Sequence, residues 1–122
     1  MRKTLILAAA LAALAALVAG QAQAHARLLT GSPQARDTVA APKELRLHYS
    51  ETIVPAASSI TVAGPGGAAV AAGKLVLDAK DKRTVVLPLT GKLAPGAYKV
   101  TWRMKTADGH TTDGDFAFNV KP

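Results

Sequence analysis

The sequence predicts an all-β fold: an immunoglobulin-like antiparallel β-sandwich of about seven strands with Greek key connections, following a cleaved leader. Three observations predict it. Beyond residue 25, apolar side chains recur with a period of two. Gly, Pro and Asp clusters interrupt these runs at short intervals. No stretch after the leader keeps a helical period for three turns.

Arg2 and Lys3 form a basic start, residues 5–18 are free of charge, and Ala22-Gln23-Ala24 ends the segment with small residues. These are the parts of a secretory signal peptide cut after Ala24. The apolar run is shorter than the roughly 20 residues of a spanning helix. The expected division is a signal peptide over 1–24 and one soluble, exported domain over 25–122.

A first strand is expected near residues 27–30, closed by Gly31-Ser32-Pro33. Leu45, Leu47 and Tyr49 alternate with Arg46, His48 and Ser50, which marks the second. Less regular strands follow at 59–63, 74–77 and 84–89, divided by Gly64-Pro65-Gly66-Gly67 and by residues 78–82. The Ala- and Gly-rich stretch 68–73 reads as a mobile loop. After Ala94-Pro95-Gly96, Tyr98, Val100, Trp102 and Met104 alternate with Lys99, Thr101, Arg103 and Lys105. Phe116, Phe118 and Val120 alternate with Asp115, Ala117 and Asn119. Tyr98, Val100, Trp102, Phe116 and Phe118 are the expected inner face of one sheet.

The formal charge of +7 includes Arg2 and Lys3, leaving about +5 on the trimmed domain. The cations are scattered and aromatics make up 4%, so neither a basic helix nor a stacking platform for nucleic acid is present. A solvated basic surface, suited to an acidic partner, is the favoured reading. With no cysteine, disulfide stapling and thiolate chemistry are excluded, and any bound metal must be held by nitrogen and oxygen.

Cleavage after Ala24 would leave His25 at the amino terminus, where its free amine and ring nitrogen can chelate one ion. Asp108 and His110 lie two apart in Ala107-Asp108-Gly109-His110-Thr111-Thr112-Asp113-Gly114, a loop joining the two most strongly patterned segments. If that loop is extended, both side chains point the same way. By itself an Asp-x-His pair reads first as a solvated turn. Joined by His25 it becomes a set of three nitrogens and one oxygen, which suits Cu(II), with Zn(II) the competing metal. Amine and imidazole must both lose protons to bind, so affinity should fall below neutral pH.

The sequence resembles the CopC family of periplasmic copper-resistance proteins. The resemblance is carried by His25-Ala26-Arg27-Leu28, Ser32-Pro33, residues 45–51, residues 95–103, Asp108-Gly109-His110, Gly114 and residues 116–120. It implies an immunoglobulin-like sandwich that binds Cu(II) through His25, Asp108 and His110, without catalysis, in the periplasm. It also implies an inner-membrane copper transporter of the CopD type as a partner. The mature protein is expected to be monomeric. Some family members add a Cu(I) site on a methionine-rich central loop. The corresponding stretch here, residues 53–72, has no methionine, and beyond Met1 the chain contains only Met104. A Cu(II)-only protein is therefore expected.

Several residues carry open alternatives. His48 reads first as an outward, solvated histidine and second as an auxiliary ligand. Glu51 is balanced between a plain strand-end carboxylate and an acceptor for a ligating imidazole N–H. Asp113 and Asp115 read first as turn-stabilising residues and second as added negative charge near the cation; Trp102 reads first as core and second, in the strand leading to the loop, as a sensor of the metal. Two other functions compete with copper storage or transfer. One is a small copper monooxygenase, since lytic polysaccharide monooxygenases also use a terminal-histidine chelate. The other is a metal-free adhesion or chaperone sandwich.

Overall fold

The computed structural model describes residues 26–122. The leader, the cleavage site and His25 lie outside the described residues. Among those described, no helix is long and apolar enough to cross a membrane.

Among the described residues, eight strands form two four-stranded sheets. The strands are β1 (Leu28–Ser32), β2 (Thr38–Val39), β3 (Glu44–Tyr49), β4 (Ser59–Ala63), β5 (Val76–Leu77), β6 (Thr84–Pro88), β7 (Gly96–Lys105) and β8 (Thr111–Val120). One sheet runs β1-β3-β6-β5 and the other β2-β8-β7-β4. The sandwich is therefore as expected, with two differences. The strand missed by sequence, β2, has only two residues, too short for alternation to register. It also pairs parallel to β8, through Thr38 with Asn119 and Val39 with Val120, so its sheet is mixed rather than purely antiparallel.

Alternation sets the inner faces. Leu45, Leu47 and Tyr49 of β3 are fully buried, as are Val100 and Met104 of β7 and Phe118 of β8. Removing a side chain of this size from water contributes roughly 1.5–3 kcal/mol, and with no disulfide the fold rests on these contacts. They form two clusters. Leu45, Val62, Leu87, Tyr98, Val100, Phe118 and Val120 fill one half. Ala26, Leu47, Tyr49, Ile53, Val85, Trp102 and Met104 fill the other. Ile60, Leu75 and Phe116 touch both halves. Tyr49 meets Trp102 edge-on with centroids 5.2 Å apart, while Tyr98 stacks on Phe118 at 5.4 Å.

The segment 68–73 is not a loose loop. Val70 N–H donates to Val62 O (2.9 Å), and Gly73 N–H to Pro88 O (2.8 Å). Thr90 N–H donates to Ala71 O (3.1 Å). Small side chains let this stretch lie flat as it crosses from one sheet to the other. The β7–β8 ladder also runs further than predicted, down to Lys105 opposite Thr111, so the turn is shorter than the Ala-to-Gly loop expected. Thr112 and Gly114 continue the inward parity of Phe116. Gly114 breaks the apolar pattern in sequence because Trp102 needs its space: a Cβ there would stand 2.5 Å from Trp102 Cζ2.

Gly114→Ala should therefore displace the indole and destabilise the fold by about 1–3 kcal/mol. Chemical denaturation followed by Trp102 fluorescence checks this; an unchanged midpoint and spectrum would contradict the packing.

Candidate metal centre

Three chain segments converge at the end of the sandwich beyond β3 and β7. Arg27 and Ser50 are joined by one backbone and one side-chain bond as β1 meets β3: Ser50 N–H donates to Arg27 O (2.9 Å), and Arg27 N–H to the Ser50 side-chain Oγ (2.8 Å). Beyond Ser50 the chain crosses to the other sheet. Val54 N–H donates to Lys105 O (2.8 Å), and Ala107 N–H to Thr52 O (3.0 Å). Ile53, fully buried, bridges Thr106. Ala26 is buried in the same cluster as Ile53 and Met104. The first described residue therefore packs beneath the end that carries the β7–β8 turn.

That turn brings Asp108 and His110 together, though not by strand parity. Residues 107–109 turn rather than extend, and Gly109 has φ 92°, a value that favours glycine over residues with a Cβ. Gly109 N–H donates to Thr106 O (3.0 Å), and Thr106 N–H to His110 O (2.8 Å). A tight hydrogen-bonded turn replaces the extended strand that the Asp-x-His spacing suggested, and it still places the two side chains side by side. His110 Nδ1 lies 3.1 Å from Asp108 Oδ2.

Thr106 is the residue that sequence reasoning missed. Its side chain is buried, and its hydroxyl donates to Asp108 Oδ1. The same oxygen receives His110 N–H at 3.3 Å. The readable signal was Thr-x-Asp-x-His, a hydroxyl two residues ahead of a turn carboxylate. These bonds, Thr106 first and His110 next, hold the Asp108 carboxyl at about 2. The group is therefore ionised throughout the physiological range. Its folded value lies below the ordinary carboxylate value near 3.9, so the loop gains stability above that pH and loses it as pH falls through about 2.

Side chains of Asp108 and His110 remain 46% and 51% exposed, open to an incoming ion. Oδ1 is filled by two donors and Oδ2 by one, so Oδ2 keeps an acceptor direction. The ring nitrogens of His110 point away from each other. An ion held by Nε2 cannot also sit on Oδ2 while the Nδ1 contact lasts. The donor types fit a cation of intermediate softness, but among the described residues no group of three or more His, Asp or Glu is gathered tightly enough to hold one. The nearby Tyr49 phenol is no substitute, because burial pushes its ionisation well up and keeps it neutral.

The other candidates fall elsewhere. His48 lies on the outer face of its sheet, as expected, but it is anchored rather than simply solvated: Nδ1 sits 2.9 Å from Thr84 Oγ1 and 3.2 Å from Asp81 Oδ2. The Thr84 hydroxyl donates to that same oxygen at 2.8 Å. Glu51 is exposed between Ser50 and Thr52, beside the crossing. Asp113 and Asp115 are strand residues opposite Arg103 and Thr101, not turn residues, because β8 begins at Thr111. Trp102 is core.

The fold and site together define a small all-β sandwich with an acid–imidazole turn held at one end. Residues 28–121 match the CopC domain model, and the chain belongs to the CopC family. It is 34% identical over 110 residues to copper resistance protein C of Pseudomonas syringae pv. tomato, covering 86% of this chain and 87% of that one. It is likewise 34% identical over 106 residues to protein YobA of Escherichia coli K12, with 86% of each covered. The fold superposes on CopC of Methylosinus trichosporium OB3b with a TM-score of 0.73 at 35% identity, covering 80% of this chain and 95% of that one. PcoC, described as a methionine-rich copper resistance protein of E. coli, gives 0.71 at 32% identity, covering 80% and 100%.

Thr106→Val keeps the volume and removes the hydroxyl. Carboxyl NMR titration should then show Asp108 titrating above about 2, towards the ordinary value near 3.9. An unmoved titration would contradict the assigned hydrogen bond.

Proposed function

We propose that this protein is exported to the periplasm, is cut after Ala24, and binds one Cu(II) ion through His25, Asp108 and His110 to sequester or deliver it, without catalysis. The observation that carries the proposal is the clamped Asp108–His110 turn at the end of the sandwich where Ala26 is buried. His25 is bonded directly to Ala26, and a trans peptide separates their Cα atoms by about 3.8 Å. The two-donor turn needs further ligands, and a terminal amine with its imidazole is the chemistry that completes it.

Binding would exchange the Nδ1–Asp108 contact for bonds to the ion. Asp108 contributes a fixed negative charge and favours the divalent state, while Thr106 holds the carboxylate in place. Met104 is fully buried and cannot serve as a soft ligand without unpacking the core, which supports Cu(II) over Cu(I) as cargo. Glu51, beside the crossing, is suited to accept an imidazole N–H. An inner-membrane transporter of the CopD type is the proposed recipient or source, and the free protein is proposed to be a monomer.

Titration of the processed protein with Cu(II) should give a type-2 EPR signal saturating at one equivalent. His25→Ala and His110→Ala should each abolish that signal at equal copper, and Asp108→Asn should weaken binding by roughly 10–100-fold. An unchanged signal in His25→Ala would overturn the ligand set.

A further inference from the structure

The fold gathers at one end cations that the sequence scatters. Residues 49–54 leave β3 and cross to the other sheet, and four basic residues each lend them a backbone carbonyl. Tyr49 N–H donates to Arg83 O (2.9 Å), Ser50 N–H to Arg27 O (2.9 Å), Ile53 N–H to Lys82 O (3.2 Å) and Val54 N–H to Lys105 O (2.8 Å). Tyr49 and Ser50 are consecutive, as are Ile53 and Val54, so the cations flank the crossing in two pairs. Arg27, Lys82, Arg83 and Lys105 are all exposed. None of them is in an ion pair with a described carboxylate.

The acids of the turn between β5 and β6 face the other way. Asp78 bonds Arg46 of β3. Asp81 Oδ2 lies 3.2 Å from His48 Nδ1 and receives the Thr84 hydroxyl at 2.8 Å. The cause lies in β3, where Arg46 and His48 hold the outward positions. They draw both carboxylates onto the sheet and leave Lys80, Lys82 and Arg83 of the same turn to the solvent. Glu51 and Asp108 are the exposed carboxylates that remain beside the crossing, fewer than the cations around them. Exposed charges act over a Debye length of about 8 Å at physiological salt, so neighbouring members of the set reinforce one another and this end carries a positive field.

We infer that this end docks onto a protein partner whose facing surface carries an excess of carboxylates. A second copy brings the same excess of positive charge, so two such ends repel. An anionic lipid surface presents negative charge everywhere and sets it against Glu51 and Asp108 as well, whereas a protein can place a donor or a cation opposite those two. Lipid binding also draws on buried apolar area, and the large exposed apolar side chains among the described residues lie elsewhere. Leu29 lines a hollow beside Gln34 and Ala35, and Val76 is on β5. A partner seated here also covers the Asp108–His110 turn, but the inference uses charge and placement alone and stands apart from the copper reading.

The probe is a fluorescein-labelled octaglutamate peptide, added at low salt to the processed, isotope-labelled protein without metal. Saturable binding below roughly 1 mM, with amide shifts centred on Arg27, Lys82, Arg83 and Lys105, is expected. Lys82→Glu combined with Arg83→Glu should weaken it at least about tenfold. Lys92→Glu combined with Lys121→Glu makes the same change of net charge at the opposite ends of β7 and β8, and should weaken it less than about threefold. All of these side chains are exposed, so both double variants keep the fold. Equal losses in the two variants, shifts centred elsewhere, or no saturation overturns the proposal. Uptake by mixed phosphatidylglycerol and phosphatidylcholine vesicles that the Lys82 and Arg83 changes abolish reassigns the surface to lipid and overturns it too. So does concentration-dependent dimerisation that the same changes abolish.

Discussion

The crossing from Ser50 to Val54 is the constraint on which the functional end of the molecule depends. A β-sandwich is two sheets held by side-chain packing, and nothing in that packing by itself fixes a turn at one end of one sheet against a terminus at the end of the other. Here a few backbone bonds do so: Ser50 to Arg27, Val54 to Lys105, and Ala107 to Thr52. Ile53 is buried between them. These main-chain bonds, around a buried cluster, tie the turn to the chain at Arg27. The proposed site, if assembled from the turn and residue 25, would need little reorganisation on the turn's side to take up an ion.

Turn geometry refines how the acid–imidazole pair works. The carboxylate is committed to Thr106, to the His110 backbone and to the His110 ring. Such commitment keeps Asp108 ionised and fixed, and it holds the imidazole in a defined orientation until a stronger partner for the ring arrives. In the proposed site the buried threonine would thus orient the carboxylate without itself being a ligand.

The main strands were legible in sequence where one face is buried and the other wet. β3 and β7 alternate cleanly because Leu45, Leu47, Tyr49, Val100, Trp102 and Met104 all face the core. Legibility failed where length or side-chain size removed the signal. Two-residue β2 offers no period, and the 68–73 crossing is held by main-chain bonds that alanine and glycine do not advertise. The start of β8 was hidden by Gly114, whose missing side chain is itself a packing feature. For the centre, residue types and spacing pointed to Asp108 and His110, and the structure brings these two together. The mechanism of their approach was not readable, since Gly109 takes a conformation that only the fold reveals. Thr106 was missed because a threonine at a strand end is common on any exposed edge, and its burial follows from Ile53, more than fifty residues earlier in the chain.

The proposed copper site requires a free amine at residue 25 to share an ion with the turn that Thr106 clamps. The most direct measurement is a competition titration of Cu(II) between a chelator of known affinity and two forms of the protein, one beginning at His25 and one retaining Ala24. Both carry every side chain in question, and they differ in whether the amine next to the imidazole is unblocked. A loss of more than about tenfold in affinity, ~1.4 kcal/mol, in the form that retains Ala24 is the predicted result. Equal affinities would contradict the account.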